Sequence, residues 1–211
     1  MIIETFPVGL LECNCTILGS EQTREAIVID PGDDIPQVVA RLERLGLTPK
    51  YVIATHGHID HVGGFKAIKD ATGAPVYLHE GDLFLYESLS MQARLLGIAP
   101  PPATEIDAHL DEGDELGIGE IKIKIHHTPG HTPGSLCFHA PGDEGRLFAG
   151  DTLFMGSIGR TDLWGGSFEE IMDSLQSKVM ALPEETVVIP GHGAATTIGH
   201  EKRFNPFLQN L

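Results

Sequence analysis

The chain alternates short apolar runs with amphipathic stretches, and this pattern predicts a mixture of strands and helices. Three runs near the start are separated by turn residues, as strands commonly are; they read IIETF, CTILG and AIVID. The next stretch, IPQVVARLERLG, has apolar residues at helical spacing and stops at Gly46, a residue type that often ends helices. The sequence therefore predicts three early strands followed by a helix.

The same alternation continues to the end of the chain. YVIAT predicts a buried strand, VGGFKAIKDATG a helix that ends at Gly73, PVYLH another strand, and residues 80–97 a further helix. In the second half, IKIKIHHT alternates strictly, as a half-buried strand does, and SLCFHA, RLFAGD and TVVIPGHG also predict strands. SFEEIMDSLQSKVMAL predicts a helix with Ser167 as its N-cap. Because both halves run from strands through a helix to a strand ending in a metal-binding residue type, we expect two similar β-rich layers with helices outside.

The bulk properties of the chain limit the classes of protein to consider. Its 211 residues suit a single domain, and 41% hydrophobic with 21% charged residues is a normal globular balance. The formal net charge of −16 disfavours nucleic-acid binding, because an acidic surface repels phosphate, although it leaves an anionic substrate open. The first residues contain neither a basic segment nor a long apolar one, and three cysteines are too few for a disulfide scaffold. We therefore expect a cytoplasmic protein that binds no membrane.

Residue types that commonly bind metals stand at or just beyond the ends of the predicted strands. Four follow YVIAT, and three more lie in HTPGHTPGS, LFAGDTLF and VVIPGHG; the seven are His56, His58, Asp60, His61, His131, Asp151 and His192. Loops at strand ends can direct side chains into a shared cleft. Neither packing nor helix propensity requires the string His-x-His-x-Asp-His, because such residues are poor core material without partners. The sequence therefore predicts a metal site.

The spacing within this string indicates how its ligands divide. In an extended segment side chains alternate, so positions 56, 58 and 60 point to one side, while His61 points elsewhere unless the chain bends. A helix predicted directly afterwards could bring His61 back, so that a histidine pair serves one ion and an Asp–His pair another. Imidazole and carboxylate ligands suit zinc, iron or manganese. A carboxylate can also bridge two ions that lie about 3.5–4 Å apart.

The remaining histidines and the first two cysteines are expected to be structural. Surface or structural roles are predicted for His79, His109, His139 and His200. His126 and His127 end a strand, and His127 could instead orient a loop that carries metal ligands. Cys13 and Cys15 lie in a strand-like run, so we expect two half-buried thiols rather than metal ligands.

Taken in order, the string HGHIDH and the segments TPGHTPGS, GDTLF and PGHG resemble the metallo-β-lactamase superfamily, and within it the short bacterial glyoxalase II-like hydrolases. The resemblance covers nearly the whole chain. It implies an α+β fold, a four-layer αβ/βα sandwich in which two mixed β-sheets are flanked by helices, and one hydrolase domain over residues 1–211. It also implies that the helical C-terminal domain of longer glyoxalases II is lacking, since only 19 residues follow His192.

The resemblance implies a role for each candidate ligand. It divides them between two ions, the first held by His56, His58 and His131, the second by Asp60, His61 and His192, and both by a bridging Asp151. A bridging hydroxide would be the nucleophile, with Asp60 as a catalytic residue hydrogen-bonded to it, and the ions would polarise the substrate carbonyl. We therefore expect two divalent ions per chain, with zinc favoured and iron or manganese as alternatives.

Within the superfamily the residues favour a thioester hydrolase. Asp151 argues against a true β-lactamase, which generally lacks this carboxylate, and His58 argues against the flavodiiron oxidoreductases, which place a glutamate there. The segment GDTLFMGSIGRTDLWGG is similar to that of enzymes that hydrolyse thioesters such as S-lactoylglutathione. Arg160 stands where longer members have a basic residue near the substrate, so we expect it to contact an anionic group, with a structural ion pair as the alternative. Asp162 departs from the tyrosine that is common there, which leaves the thiol carrier open.

Two other functions fit the same residues. A persulfide dioxygenase would hold one iron in a His-His-Asp site, and the sequence GRTD also occurs in that branch. A metal-binding protein without catalysis would keep every ligand but hydrolyse no thioester, lactone or phosphodiester. Our first prediction is therefore a hydrolase whose partner is a small-molecule thioester, and the sequence leaves its oligomeric state open.

Overall fold

The computed structural model describes residues 1–142 and 145–209, and the chain divides into two compact units. Unit 1 comprises Met1–Leu110 and Gly117–Ile121, and unit 2 comprises Asp111–Leu116 and Lys122–Leu211. The prediction of one functional domain over residues 1–211 stays a prediction.

The sheet of unit 1 has five strands in sequential order, namely β1 (Ile2–Val8), β2 (Cys13–Gly19), β3 (Glu25–Ile29), β4 (Thr48–Ile53) and β5 (Val76–Tyr77). The pairs β1–β2 and β2–β3 are antiparallel, whereas β3–β4 and β4–β5 are parallel. The antiparallel pairs join through short turns, and the parallel pairs need longer crossovers, which the helices supply. The strands predicted from the apolar runs are therefore confirmed, and the sheet is mixed.

Five short helices belong to unit 1, and they are α1 (Ile35–Leu45), α2 (Ile59–Val62), α3 (Phe65–Thr72), α4 (Leu83–Glu87) and α5 (Leu89–Leu96). Helix α1 ends at Gly46, whose φ of 62° is a left-handed conformation that glycine adopts easily. It buries Ile35, Val38 and Leu42 in the core of the unit, and each such side chain contributes roughly 1.5–3 kcal/mol. The prediction of a single helix over residues 80–97 is wrong in that the segment is divided. A 3₁₀ turn precedes α4, and Ser88 separates α4 from α5.

A second sheet and a small ribbon follow, with strands β6 (Glu115–Ile118), β7 (Ile121–His127), β8 (Leu136–Ala140), β9 (Arg146–Gly150), β10 (Leu153–Phe154), β11 (Ser157–Ile158), β12 (Val187–Pro190) and β13 (Thr196–Thr197). The six-stranded sheet has the order β13-β12-β9-β8-β7-β6, and β10 pairs with β11. Strand β12 runs parallel to β9, whereas β7–β8 and β8–β9 are antiparallel. This sheet is therefore also mixed, as the resemblance implied.

Unit 2 has two α-helices among its described residues, α6 (Phe168–Ser174) and α7 (Ile198–Phe204). Ser167 caps α6 as predicted, since its side chain accepts a hydrogen bond from the Glu170 backbone N–H. A π-helical turn at Leu175–Val179 continues α6, so the predicted helix ends near Met180 rather than at residue 182.

The fold class is confirmed as α+β, with mixed sheets flanked by helices. In unit 1, α1 and α3 both pack against β4, and Phe65 and Ile68 of α3 lie in the core. In unit 2, α6 places Ile171 in a core with Leu147 of β9 and Val188 of β12. Within residues 1–142 and 145–209, the structure has no helix both long and apolar enough to cross a lipid bilayer.

Candidate metal centre

The histidine loop of unit 1, residues 54–64, follows β4 and carries four of the predicted ligands. His56 is buried and His58 half-buried, and His56 Nε2 lies 2.9 Å from His58 Nδ1. The extended backbone reaches only to His58, because α2 begins at Ile59. The expectation that positions 56, 58 and 60 alternate along one extended segment is therefore wrong. Asp60 stands in the first turn of α2, and the helix rather than a later bend orients His61.

His61 is completely buried and sits between two carboxylates of unit 1. Its Nδ1 lies 3.0 Å from Asp30 Oδ2, and its Nε2 lies 3.6 Å from Asp60 Oδ2. A carboxylate on one ring nitrogen fixes the tautomer and orientation of a ligating imidazole and raises its basicity. Asp30 therefore orients the imidazole ring of His61. Nε2, the ring nitrogen beside Asp60, is the one suited to bind a metal.

Asp30 is a functional residue that sequence reasoning missed. It follows β3 directly, is only 2% exposed, and accepts hydrogen bonds from the Thr55 backbone N–H at 2.7 Å and the Thr55 hydroxyl at 2.8 Å. Its φ of 53° is left-handed, a conformation in which aspartate is enriched among non-glycine residues. The sequence did contain a feature that marks Asp30, because this residue ends a predicted strand just as Asp151 does.

Two buried side chains hold the backbone of the histidine loop from the helical side of unit 1. Asp82 Oδ2 accepts the Gly57 backbone N–H at 2.7 Å. Gln92 accepts the Ile59 N–H at 2.9 Å through Oε1 and donates to the Gly57 carbonyl at 3.3 Å through Nε2. These contacts fix the backbone between the two histidines and the start of α2, so they position ligands without being ligands.

Asp151 is the centre of the ligand group in unit 2. Its Oδ2 lies 3.5 Å from His131 Nε2, and its Oδ1 lies 3.8 Å from His192 Nε2. Each oxygen of one carboxylate therefore faces a different imidazole. All three residues lie just beyond strand ends or in the adjoining loops, as predicted: Asp151 after β9, His192 after β12, and His131 in the loop before β8.

Backbone groups orient this second group of ligands. His131 Nδ1 donates to the Arg160 carbonyl at 2.8 Å, which leaves Nε2 directed at Asp151. At Gly159 a Cβ would stand 1.8 Å from the Asp151 carbonyl oxygen, so only glycine lets the two backbone segments approach this closely. Gly130 has φ 132°, and a Cβ there would stand 2.2 Å from the Ile171 nitrogen. The glycines therefore position the ligand loops through close backbone packing.

The spacing of these side chains fits metal ligands. Two ligands of one tetrahedral zinc stand about 3.3 Å apart, given metal–ligand distances of roughly 2.0–2.1 Å. The Asp60–His61 pair and both Asp151–histidine pairs, at 3.5–3.8 Å, are too long for good hydrogen bonds and close to that spacing. Buried imidazoles next to carboxylates are also what zinc, iron and manganese accept. The described residues thus include a candidate metal site of histidine and aspartate side chains.

Comparison with known proteins decides the family. The model of the metallo-beta-lactamase superfamily matches residues 8–192. The chain belongs to this superfamily. The resemblance inferred from the ordered motifs is therefore confirmed, and the chain falls in a group of metal-dependent hydrolases.

Several superfamily members are similar to this chain over nearly its whole length. The hydroxyacylglutathione hydrolase GloC of Haemophilus influenzae is 39% identical, covering 100% of this chain and 99% of its own. The mitochondrial persulfide dioxygenase ETHE1 of Homo sapiens is 29% identical, covering 94% of this chain and 72% of its own. Among solved structures, the B3 metallo-beta-lactamase BLEG-1 is 38% identical with a TM-score of 0.90, covering 98% and 99% of the two chains. TTHA1623 in a di-iron-bound form is 40% identical with a TM-score of 0.87, covering 96% and 98%.

In the segment that follows Asp151, the side chain of Arg160 forms an ion pair. Its Nε and Nη2 donate to the two carboxylate oxygens of Asp162 at 2.7 and 2.8 Å, and both side chains are well exposed. Arg160 lowers the pKa of the Asp162 carboxyl to about 2. The contact with an anionic substrate stays a prediction, and it requires this exposed pair to open.

Cys13 lies against the ligand His61 but is protonated at neutral pH. Its Sγ is 3.6 Å from His61 Nδ1, and burial raises the pKa of the thiol to about 12. Burial also opposes a charge on His61, but the carboxylates of Asp30 and Asp60 attract that charge and raise the pKa of the imidazole. Cys13 and Cys15 are fully buried rather than half-buried, which corrects the sequence-based expectation.

Three of the histidines that were not assigned as ligands lie at hydrogen-bond distance from backbone groups. His79 caps the 3₁₀ turn before α4, and His109 Nδ1 lies 3.1 Å from the Leu78 carbonyl. In unit 2, His127 Nε2 lies 2.8 Å from the Pro133 carbonyl, within the loop that precedes His131. His127 therefore contacts a loop with a predicted ligand, as the alternative for this residue expected.

Proposed function

We propose that the chain is a binuclear metal-dependent hydrolase that cleaves thioesters, of the glyoxalase II type. The observation that carries the proposal is Asp151, whose two oxygens each face a different histidine of unit 2. A carboxylate presented in this way suits a bridge between two ions. The relative GloC, a hydroxyacylglutathione hydrolase, and the di-iron-bound form of TTHA1623 support the proposal by similarity.

We assign the ligands as the superfamily motifs imply. The proposed ligands of the first ion are His56, His58 and His131, those of the second are Asp60, His61 and His192, and Asp151 is shared. Zinc remains our proposed metal, with iron and manganese as alternatives, and the di-iron relative makes iron the first of these to test. The proposed setting is the cytoplasm, with a small-molecule thioester as the partner and neither nucleic acid nor membrane.

The residues of the chain have distinct tasks in this reaction. Bound divalent ions supply a hydroxide at neutral pH and stabilise the oxyanion that forms on the thioester carbonyl. Asp60, 16% exposed at its side chain, is placed to accept a hydrogen bond from the attacking oxygen. Asp30 and the Arg160 carbonyl hold His61 and His131 in the tautomers that leave a nitrogen for a metal. Overall, one water adds across the C–S bond and gives a carboxylic acid and a thiol.

One alternative function has an observation in its favour. The persulfide dioxygenase ETHE1 is similar to this chain, and the exposed Arg160–Asp162 pair belongs to the GRTD sequence that also occurs in that branch. That reaction would need a single iron and oxygen. The seven candidate ligands would suffice for two ions, and the metal content of the protein separates the binuclear hydrolase from the dioxygenase.

The test combines metal analysis with turnover. Protein of measured metal content is assayed against S-lactoylglutathione and the lactoyl thioester of N-acetylcysteamine, and for oxygen uptake with glutathione persulfide. We expect two metals per chain and thioester hydrolysis without oxygen uptake. One iron per chain with persulfide-dependent oxygen uptake would identify a dioxygenase. Two bound metals with no hydrolysis of thioesters, lactones or phosphodiesters would identify a metal-binding protein without this activity.

A further inference from the structure

A cleft of about 550 Å³ opens beside the histidine loop within unit 1. Asp60 and Ile59 of α2 form part of its wall, so the cleft reaches the residue proposed to contact the attacking oxygen. A volume between roughly 300 and 1,000 Å³ is typical of sites for small organic molecules.

The wall of the cleft is apolar apart from three carboxylates. Of its 20 lining residues, seven are aliphatic, and glycine, proline and alanine make up ten more. Asp33, Asp34 and Asp60 are the only ionisable residues among them, and no lysine, arginine or histidine is present in the lining. An anionic group would be repelled here, because like charges in a cleft with low-dielectric walls interact strongly. The lining therefore suits an uncharged aliphatic chain.

Exposed aliphatic side chains rim the cleft. Leu10 is 71% and Leu11 42% exposed at the turn between β1 and β2, and Ile98, which also lines the cleft, is 40% exposed. Contiguous exposed apolar surface often marks a site for an apolar ligand. A chain lying between these residues would remove their side chains from water, and each buried CH₂ of the ligand would strengthen binding about threefold to fourfold.

The walls of the cleft are held rigid before any ligand binds. The Gly9 backbone N–H donates to Asp34 Oδ2 at 2.9 Å, which ties the β1–β2 turn to the start of α1. Residues 100–102 are three consecutive prolines, whose φ angles are fixed, and they line the cleft after α5. At Gly64 a Cβ would stand 2.0 Å from the Pro31 carbonyl oxygen, so glycine allows close backbone packing at the floor. A preorganised wall loses little entropy when a ligand binds.

From these features we infer that the cleft binds an uncharged aliphatic chain of the thioester substrate, next to the bond that is hydrolysed. The inference rests on the proposed thioester hydrolysis and adds the class of substrate. The chain can come from the acyl group or from the thiol, since either side of a thioester can carry an alkyl chain. The two sources are separated by experiment.

The first experiment uses the metal-loaded protein and two series of substrates. In one, the acyl group on N-acetylcysteamine lengthens from acetyl to octanoyl; in the other, an acetyl group is kept and the thiol lengthens from ethanethiol to octanethiol. We expect kcat/KM to rise about threefold per methylene in one series until the cleft is filled. A terminal carboxylate on the longest chain should lower kcat/KM at least tenfold. No dependence on length in either series, or an equal rate with the carboxylate, would overturn the inference.

A pair of variants on α3 locates the effect. Ala67 lines the cleft and Ala71, one helical turn later, does not, and both are exposed. Ala67→Phe should obstruct part of the cleft and weaken the dependence on chain length, whereas Ala71→Phe should retain it. Asp33→Asn should relax the discrimination against the terminal carboxylate about twofold to fivefold, and Asp70→Asn, which removes another exposed carboxylate of unit 1, should not. An unchanged length dependence in Ala67→Phe would place the chain elsewhere and contradict the inference.

Binding without turnover separates this inference from the proposed function. Isothermal titration of the protein with N-acetyl-S-hexylcysteamine, a thioether that cannot be hydrolysed, should give an affinity at least tenfold above that of the S-methyl analogue. The difference should become smaller in Ala67→Phe, with or without metal. Binding as expected but no hydrolysis of any thioester would refute the proposed function and leave the cleft as an aliphatic site. Hydrolysis of thioesters without this difference in affinity would overturn the inference about the cleft and leave the proposed function standing.

Discussion

The candidate ligands of unit 1 and of unit 2 are held in place by different means. In unit 1 four ligands come from one loop, and buried polar side chains hold that loop: Asp30, Asp82 and Gln92 each accept or donate hydrogen bonds at or next to the ligands. In unit 2 three ligands come from three loops, and backbone groups hold them. The Arg160 carbonyl fixes His131, and Gly159 lets its segment lie against Asp151.

This difference predicts different kinds of sensitivity. A short contiguous loop of histidines is hard to keep in shape, because several imidazoles must be oriented with few backbone hydrogen bonds, so surrounding side chains supply the acceptors. Ligands on separate strand ends are already placed by the sheet, and their loops need only close packing. The arrangement of the candidate ligands in unit 1 should therefore be most sensitive to the loss of a supporting polar side chain. In unit 2 it should be most sensitive to a methyl group added where two backbone segments pack closely.

The largest effect is expected at Asp151, the proposed ligand of unit 2 whose carboxylate faces two histidines. Asp151→Ala removes both oxygens that face His131 and His192. It should lose metal and nearly all activity, a greater loss than the ~10–100-fold typical of a residue that only orients a ligand. Metal analysis after dialysis and kcat/KM for a thioester measure this, with the charge-conserving Asp151→Glu for comparison. Retention of two metals per chain would refute the bridging role.

The next largest effect is expected from the close backbone packing in unit 2. Gly159→Ala places a Cβ 1.8 Å from the Asp151 carbonyl oxygen, so one segment must move. We expect about 1–3 kcal/mol of lost stability from overpacking, together with weaker metal binding. Gly142→Ala is the matched control, since among the described residues outside its immediate chain neighbours no atom lies within 4 Å of the Cβ that the substitution adds. Chemical denaturation of both variants checks the difference, and equal stability would show that the close approach has no structural importance.

The side-chain support of unit 1 gives the third prediction. Asp82→Ala removes the acceptor of the Gly57 N–H and leaves that group buried, which costs about 1–3 kcal/mol. The histidine loop should shift, and metal affinity should fall ~10–100-fold. Asp70→Ala, an exposed ion-pair partner of Lys66, should change stability by under about 1 kcal/mol. Competition with a coloured chelator measures the affinity. An unaltered affinity in Asp82→Ala would mean that the loop keeps its shape unaided.

The smallest effect concerns the exposed ion pair of unit 2. Arg160→Ala should raise KM for the anionic S-lactoylglutathione about twofold to fivefold without changing kcat, because an exposed charge contributes modestly. Asp162→Ala frees the guanidinium and should lower KM. Arg44→Ala, which removes an exposed, paired arginine of unit 1, is the control. If Arg160→Ala leaves KM unchanged, the side chain is structural and only its carbonyl serves the ligand loop.

The sequence allowed most strands to be predicted, and it marked the seven residues that we propose as ligands, because both depend on local pattern. Strand ends marked by an apolar run followed by Gly, His or Asp are visible without tertiary contacts. The start of α2 at Ile59 was not predicted, since Gln92, 33 residues later, accepts its N–H. Asp30 was missed for the same reason: its role depends on pairing with Thr55 and His61, which only the parallel β3–β4 pair brings near.

We propose that the seven candidate ligands together hold two ions, and stepwise addition of metal to metal-free protein tests this most directly. Thioester hydrolysis is recorded after each increment of zinc, and separately of iron under anaerobic conditions. We expect activity to rise until two equivalents are bound per chain and then to stay constant. Full activity at one equivalent, with no second ion retained, would contradict a binuclear centre.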